Sequence, residues 1–218
     1  HMSEDETLID AFNNNLDIHS LTASEVFGVD ISLVTPEMRR TAKAVNFGII
    51  YGISQYGLSQ NINTSVQQAQ KYIQAYFNRY PKIKDYMNSN VENAKSSGYA
   101  YSIFNRRRKI NELFVPKTRM FGERIAMNMP LQGSASDIIK LAMINVSKAL
   151  KEQGLKSKLI MQVHDELIID APQEEITTVA KILKDNMQNV VKLSVPLTVD
   201  VEEGKIKRDN HIKVLRFL

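Results

Sequence analysis

No cysteine occurs among the 218 residues, which excludes a disulfide framework and a thiolate metal site and suits a reducing compartment. No apolar run approaches the ~18 residues that a membrane-spanning helix requires, and no secretory signal is visible. Internal repeats and low-complexity tracts are absent as well. Together these absences predict a cytoplasmic protein with no membrane partner. What is present is 43% hydrophobic residues, enough for a substantial core in one or two compact units. A formal charge of +4 and a pI near 9.1 favour a polyanionic partner, although many proteins without one share that balance.

The segment from Arg39 to Gly52 places Arg39, Lys43, Phe47 and Tyr51 at successive fourth positions. At ~100° per helical residue the four span an arc of about 120°, so all can look into one cleft. Cations suit phosphates, and an aromatic ring suits a base or a sugar. Thr35 followed by Pro36 reads as an N-cap and a first-turn proline, which fixes the helix start. Spacing alone suits an ordinary amphipathic helix with snorkelling Arg and Lys equally well. A second motif lies more than a hundred residues on, where Leu159–Val163 and Leu167–Ile169 are short apolar runs flanking His164, Asp165 and Glu166. They predict a β-hairpin whose tip projects a carboxylate, or simply a polar turn.

The rest of the chain reads as mainly helical. Short helices are expected over Glu4–Asn13 and Asp17–Val26. Ser65–Arg79 follows with one apolar face, and Pro81 starts another helix through about Ser97, closed by Gly98. Tyr99–Phe104 predicts a short strand leading into a basic loop at Arg106, Arg107, Arg108 and Lys109, either a solvated charge run or a DNA-backbone contact. Phe121–Leu150 predicts a long helix broken or kinked at Pro130, with Arg124, Asn128 and Gln132 on one face. Gln173–Leu193 carries another apolar face, and Val195–Val201 alternates as a final strand. The fold expected is α+β and mainly helical, with a small antiparallel sheet.

Taken together, the motifs resemble bacterial family A DNA polymerases of the DNA polymerase I type. Arg39–Gly52 resembles motif B, R-x-x-x-K-x-x-x-F-x-x-x-Y-G, and Val163-His164-Asp165-Glu166 resembles motif C. Arg124–Lys140 is similar to the template-binding helix, and Asp17-Ile-His19, Glu25-Val-Phe27-Gly28 and Tyr80-Pro81 also follow the pattern. The resemblance implies template-directed nucleotidyl transfer with primer-template DNA and deoxynucleoside triphosphates as partners, in a bacterial, nucleoid-associated protein. It implies that Arg39 and Lys43 hold the triphosphate, that Phe47 packs on the incoming nucleotide, and that Tyr51 fills the template-base position in the open state. Arg124, Asn128 and Gln132 would touch template and primer, with Arg106–Arg108 near the DNA. His164 would support the primer terminus, and Asp165, assisted by Glu166, would bind Mg2+.

The resemblance also implies subdomains: a lead-in at 3–34, fingers at 35–113 and the C-terminal part of a palm at 114–218. His1-Met2 reads as a tag or cloning remnant. Motif A, of the form D-Y-S-Q-I-E-L-R, is expected just upstream of Ser3 and so outside this chain. Its aspartate would share two Mg2+ ions with Asp165, so the isolated chain is expected to be inactive. Its strand would pair with the hairpin, and without it the palm sheet edge is expected to be exposed and open to self-association. The other class of function compatible with these residues is a non-catalytic nucleic-acid or nucleotide binding module.

Overall fold

The computed structural model describes residues 1–204 and the backbone of residues 215–217. The chain divides into two compact units, His1–Gly133 and Ser134–Leu218.

The first unit is helical: α1 (Glu6–Asn13), α2 (Ile18–Phe27), α3 (Pro36–Ile50), α4 (Gln55–Asn61), α5 (Val66–Arg79) and α6 (Pro81–Ser97). The starts are set by side chains that accept a backbone N–H of the first turn. Asp5, Asp17, Thr35, Ser54 and Ser65 accept from Leu8, His19, Met38, Gly57 and Gln68, respectively. Each such cap contributes about 1 kcal/mol. Gly28 and Gly98 end α2 and α6 in the left-handed region that glycine adopts most readily, with φ of 65° and 79°. Val45, Ile49, Leu58, Tyr72, Tyr76 and Tyr80 form one core of this unit. A second core gathers Val91, Ala94, Ile110, Leu113, Ile125 and Met129 beneath a two-stranded hairpin.

That hairpin differs from expectation. Strands β1 (Tyr99–Tyr101) and β2 (Arg107–Lys109) pair antiparallel, Tyr99 opposite Lys109, so most of the basic run is itself a strand. All three β2 residues are exposed, leaving no apolar alternation by which to recognise it. Of the break or kink expected at Pro130, the break does not occur: α7 runs from Arg119 to Glu152 with Pro130 inside it. The ring removes one backbone donor, but the helix continues.

In the second unit the later part of α7, α8 (Ile176–Gln188) and a sheet share a core that includes Ile139, Val146, Leu167, Val179, Leu183 and Met187. The sheet comprises β3 (Lys158–Val163), β4 (Glu166–Asp170), β5 (Val199–Val201) and β6 (Leu215–Phe217), antiparallel in the order β3-β4-β6-β5. The final strand is thus shorter than the expected Val195–Val201. Residues 215–217 lie between β4 and β5, with Arg216 opposite both Glu166 and Asp200, while the β3 side of the hairpin is an edge of the described sheet. The other residues of the tail, 205–214 and 218, lie outside the described residues.

Candidate nucleotide and nucleic-acid site

Helix α3 owes its start to the Thr35 hydroxyl, which accepts the Met38 N–H at 3.2 Å, and to Pro36 in the first turn. Its buried stripe of Ala42, Val45, Asn46 and Ile49 faces the core. Lys43 and Phe47 are left exposed on the other side. The helix ends at Ile50, and Tyr51 is its C-cap. Gly52 follows with φ 68°, and a Cβ there would lie 3.1 Å from Arg124 Cγ, so a residue without a side chain suits both the turn and the close approach. The result is a cleft of about 770 Å³ lined by Lys43, Phe47, Tyr51 and Gly52, with Met120 and Arg124 from α7. Phe47 and Tyr51, both lining the cleft, are 47% and 49% exposed. The Lys43 ammonium lies 5.8 Å from the Phe47 ring centre, and the Arg124 guanidinium 5.8 Å from that of Phe121.

Three of the four residues expected to share a cleft therefore do so: Lys43, Phe47 and Tyr51. Arg39 turns instead toward α2, where its Nε and Nη2 donate to Asp17 at 2.5 and 3.2 Å. Arg40 lines the cleft. Burial pushes the Asp17 carboxyl up, but hydrogen bonds from Arg39, Ser20 and the His19 N–H, with the charge of Arg39, outweigh it and hold the group well below the usual carboxylate range. His19 sits between the helices. Its ring lies 5.8 Å from that of Phe47, and the buried Asn46 amide donates to its Nδ1 at 2.9 Å. Burial lowers the His19 pKa; Asp17 opposes this, while Arg39 and Lys43 add to it.

Other basic candidates lie on the same unit. Arg106, Arg107 and Arg108 are exposed, and the Arg107 guanidinium stacks 5.0 Å from the Tyr99 ring centre. On α7, Arg124 and Gln132 are exposed and Asn128 is half-buried. In the second unit, Val163 pairs with Glu166, so His164 and Asp165 form a two-residue hairpin tip. Glu166 belongs to β4 and is not a tip residue as expected. His164 has φ 52°, a left-handed conformation costing a non-glycine residue about 1 kcal/mol, and the Gln162 side chain donates to its carbonyl.

The matching family model is DNA polymerase family A, over residues 1–209. The chain is 57% identical over 206 residues to DNA polymerase I of Caldicellulosiruptor bescii and 50% identical over 206 residues to that of Bacillus subtilis. Each match covers 94% of this chain, but only 24% and 23% of those relatives. A solved structure described as the POL domain of Pol1 from M. smegmatis in complex with DNA primer-template and dNTP superposes with a TM-score of 0.85. It is 42% identical, and the match covers 90% of this chain and 35% of that one. The chain belongs to DNA polymerase family A.

The expected Mg2+ pair does not fit the described residues by themselves. Among them no three His, Asp or Glu side chains gather into a candidate metal group. Asp165 with its neighbour Glu166 is too small a set for two hard cations that each take ~6 oxygen ligands.

In the sequence Asp17 and His19 stand only within a family pattern, and the contact of Asp17 with Arg39, 22 residues away, has no local signal.

Proposed function

We propose that these residues are the nucleotide-selecting portion, and one carboxylate-bearing hairpin, of a DNA-directed DNA polymerase. The parent reaction is attack of a primer 3′-hydroxyl on the α-phosphate of a deoxynucleoside triphosphate, with pyrophosphate leaving. The observation that carries this reading is the cleft in which Lys43, Phe47, Tyr51 and Arg124 meet. Lys43 neutralises charge on the leaving phosphates, Phe47 packs on the sugar and base, and Tyr51 occupies the template-base position until a conformational step moves it aside. Arg39 engages the triphosphate from the rim. Arg106–Arg108 meet the DNA backbone, while Arg124, Asn128 and Gln132 face template and primer. Asn and Gln suit this because their amides reach minor-groove acceptors common to all base pairs. His164 supports the primer end. Asp165, helped by Glu166, supplies part of a Mg2+ site completed by carboxylates from outside these residues.

The chain alone is then a binding module without catalysis, which the small carboxylate set of the β3–β4 hairpin favours. With a primed template, Mg2+ and all four nucleotides it is expected to extend nothing, while dNTP binding in calorimetry weakens on Lys43→Ala. Measurable extension sinks the inactive-fragment reading. Unchanged affinity in the variant sinks the assignment of the cleft.

A further inference from the structure

Asp17 has a carboxylate in which both oxygens are saturated. Oδ1 accepts the His19 N–H at 3.0 Å and Arg39 Nη2 at 3.2 Å; Oδ2 accepts the Ser20 hydroxyl at 2.7 Å and Arg39 Nε at 2.5 Å. Two of these partners belong to the first turn of α2, so the carboxylate is fixed to that helix before it meets the arginine. Arg39 stands in the first turn of α3, one turn before Lys43. Its side chain is 46% exposed, and a lone arginine in that setting would sample many rotamers. The contact uses the side edge of the guanidinium. Of five N–H donors two are engaged, which leaves about three for another acceptor.

We propose that Asp17 is a positioning residue for nucleotide binding: it grips the Nε edge of Arg39 so that the free end of the guanidinium is preset for the polyphosphate of the incoming nucleotide. This inference rests on the reading of Arg39 as a triphosphate ligand. Asp17 touches no substrate and acts only through Arg39. Three charges lie on this corner, Arg39, Lys43 and Asp17, so a net +1 remains to attract an anion. Asp17 and Arg39 are 39% and 46% exposed, and water screens the repulsion between the carboxylate and an arriving phosphate. The orienting effect is not screened, because it comes from rotamer freedom already lost.

The test is calorimetric titration of the 218-residue chain with sodium tripolyphosphate and with dTTP. Asp17→Asn keeps an oxygen to cap α2 but loses the charge and the two-pronged grip. Affinity for both ligands should fall roughly fivefold, the scale expected when a preset arginine must be ordered on binding. Asp17→Glu should recover most of it. In an Arg39→Ala background, Asp17→Asn should change nothing further. In ¹⁵N-resolved spectra the Arg39 Nε–H signal should persist in the unmodified chain and in Asp17→Glu, and broaden in Asp17→Asn. Tighter binding by Asp17→Asn overturns the proposal, because it makes the carboxylate a competitor of the phosphate. Unchanged affinity with a lowered melting midpoint also overturns it and leaves Asp17 as a helix cap. If Arg39→Ala weakens binding while Asp17→Asn does not, only the positioning role fails. If Arg39→Ala is neutral, or the unmodified chain binds neither ligand, the nucleotide reading fails and the proposal goes with it.

Discussion

His19 joins α2 to α3 through a hydrogen bond between its Nδ1 and the Asn46 side-chain amide, 2.9 Å apart. Its pKa is lowered from 6.5 by burial first, with Asp17 opposing and Arg39 and Lys43 reinforcing. The unfolded chain therefore takes up the proton before the folded one does, and stability rises with pH across that window. The contribution is complete above about 6.5 and is lost as pH falls through the folded value. Melting midpoints taken from pH 7.5 down to 5 should decline more steeply for the unmodified chain than for His19→Gln, and parallel curves would refute the coupling. Gly122 makes a different kind of residue-scale statement. A Cβ there would lie 2.7 Å from Leu113 N and 2.9 Å from the Glu112 carbonyl carbon, both backbone atoms that cannot rotate away. Gly122→Ala should cost about 1–3 kcal/mol in urea unfolding. Gly48→Ala should cost less, since the nearest atom, at 2.8 Å, belongs to the Ile53 side chain. Equal costs would show that the backbone around Leu113 yields. The Thr35 cap was legible because its partner is three residues away. The Arg39–Asp17 pair and the crowding at Gly122 depend on how distant segments pack, which no local pattern records.

Elements with a buried stripe were readable from period alone. Helix α8 buries Ile176, Val179, Ile182, Leu183 and Met187 at helical spacing, and α6 runs from Pro81 to Ser97 between its proline and glycine signals. What escaped were elements without such a stripe: α4, only seven residues long with Gly57 inside it, and β2, with every side chain in water. The tail strand β6 escaped because its partners, Glu166–Leu167 and Val199–Val201, give no hint in sequence that a third strand stands between them. Its position carries a prediction. Removing residues 205–218 takes away the strand paired with both β4 and β5, exposing an edge that includes the fully buried Leu167. The shortened chain is expected to associate in sedimentation at concentrations where the full chain does not. A shortened chain that remains monomeric would mean that β4 and β5 close directly on each other.

At the scale of the whole molecule, charge is the property on which the proposed DNA contact depends. A formal +4 on 218 residues is too small to steer binding as a diffuse field, so the DNA affinity proposed above would come from where cations cluster. The compact units divide after Gly133, within α7, and the exposed residues Arg106–Lys109 and Arg124 all belong to the first. A continuous helix has no change of composition at its middle, so no sequence signal marks this division.

Within that cluster Arg107 rests on the Tyr99 ring, whereas Arg108 stands opposite Ala100 on an exposed strand with its charge toward solvent. Phosphate neutralisation releases counterions, and each contact contributes ~0.9 to the slope of log affinity against log salt on duplex DNA. Arg108→Ala should therefore weaken duplex binding to a similar degree across unrelated sequences and make that slope shallower by about one. Fluorescence anisotropy of labelled duplexes at several salt concentrations measures both quantities. Because β2 has no buried face, the substitution should leave the melting midpoint of the chain in place, so a loss of affinity cannot be ascribed to unfolding. A slope identical to that of the unmodified chain would remove β2 from the DNA contact and leave the Arg124 face of α7 to carry it.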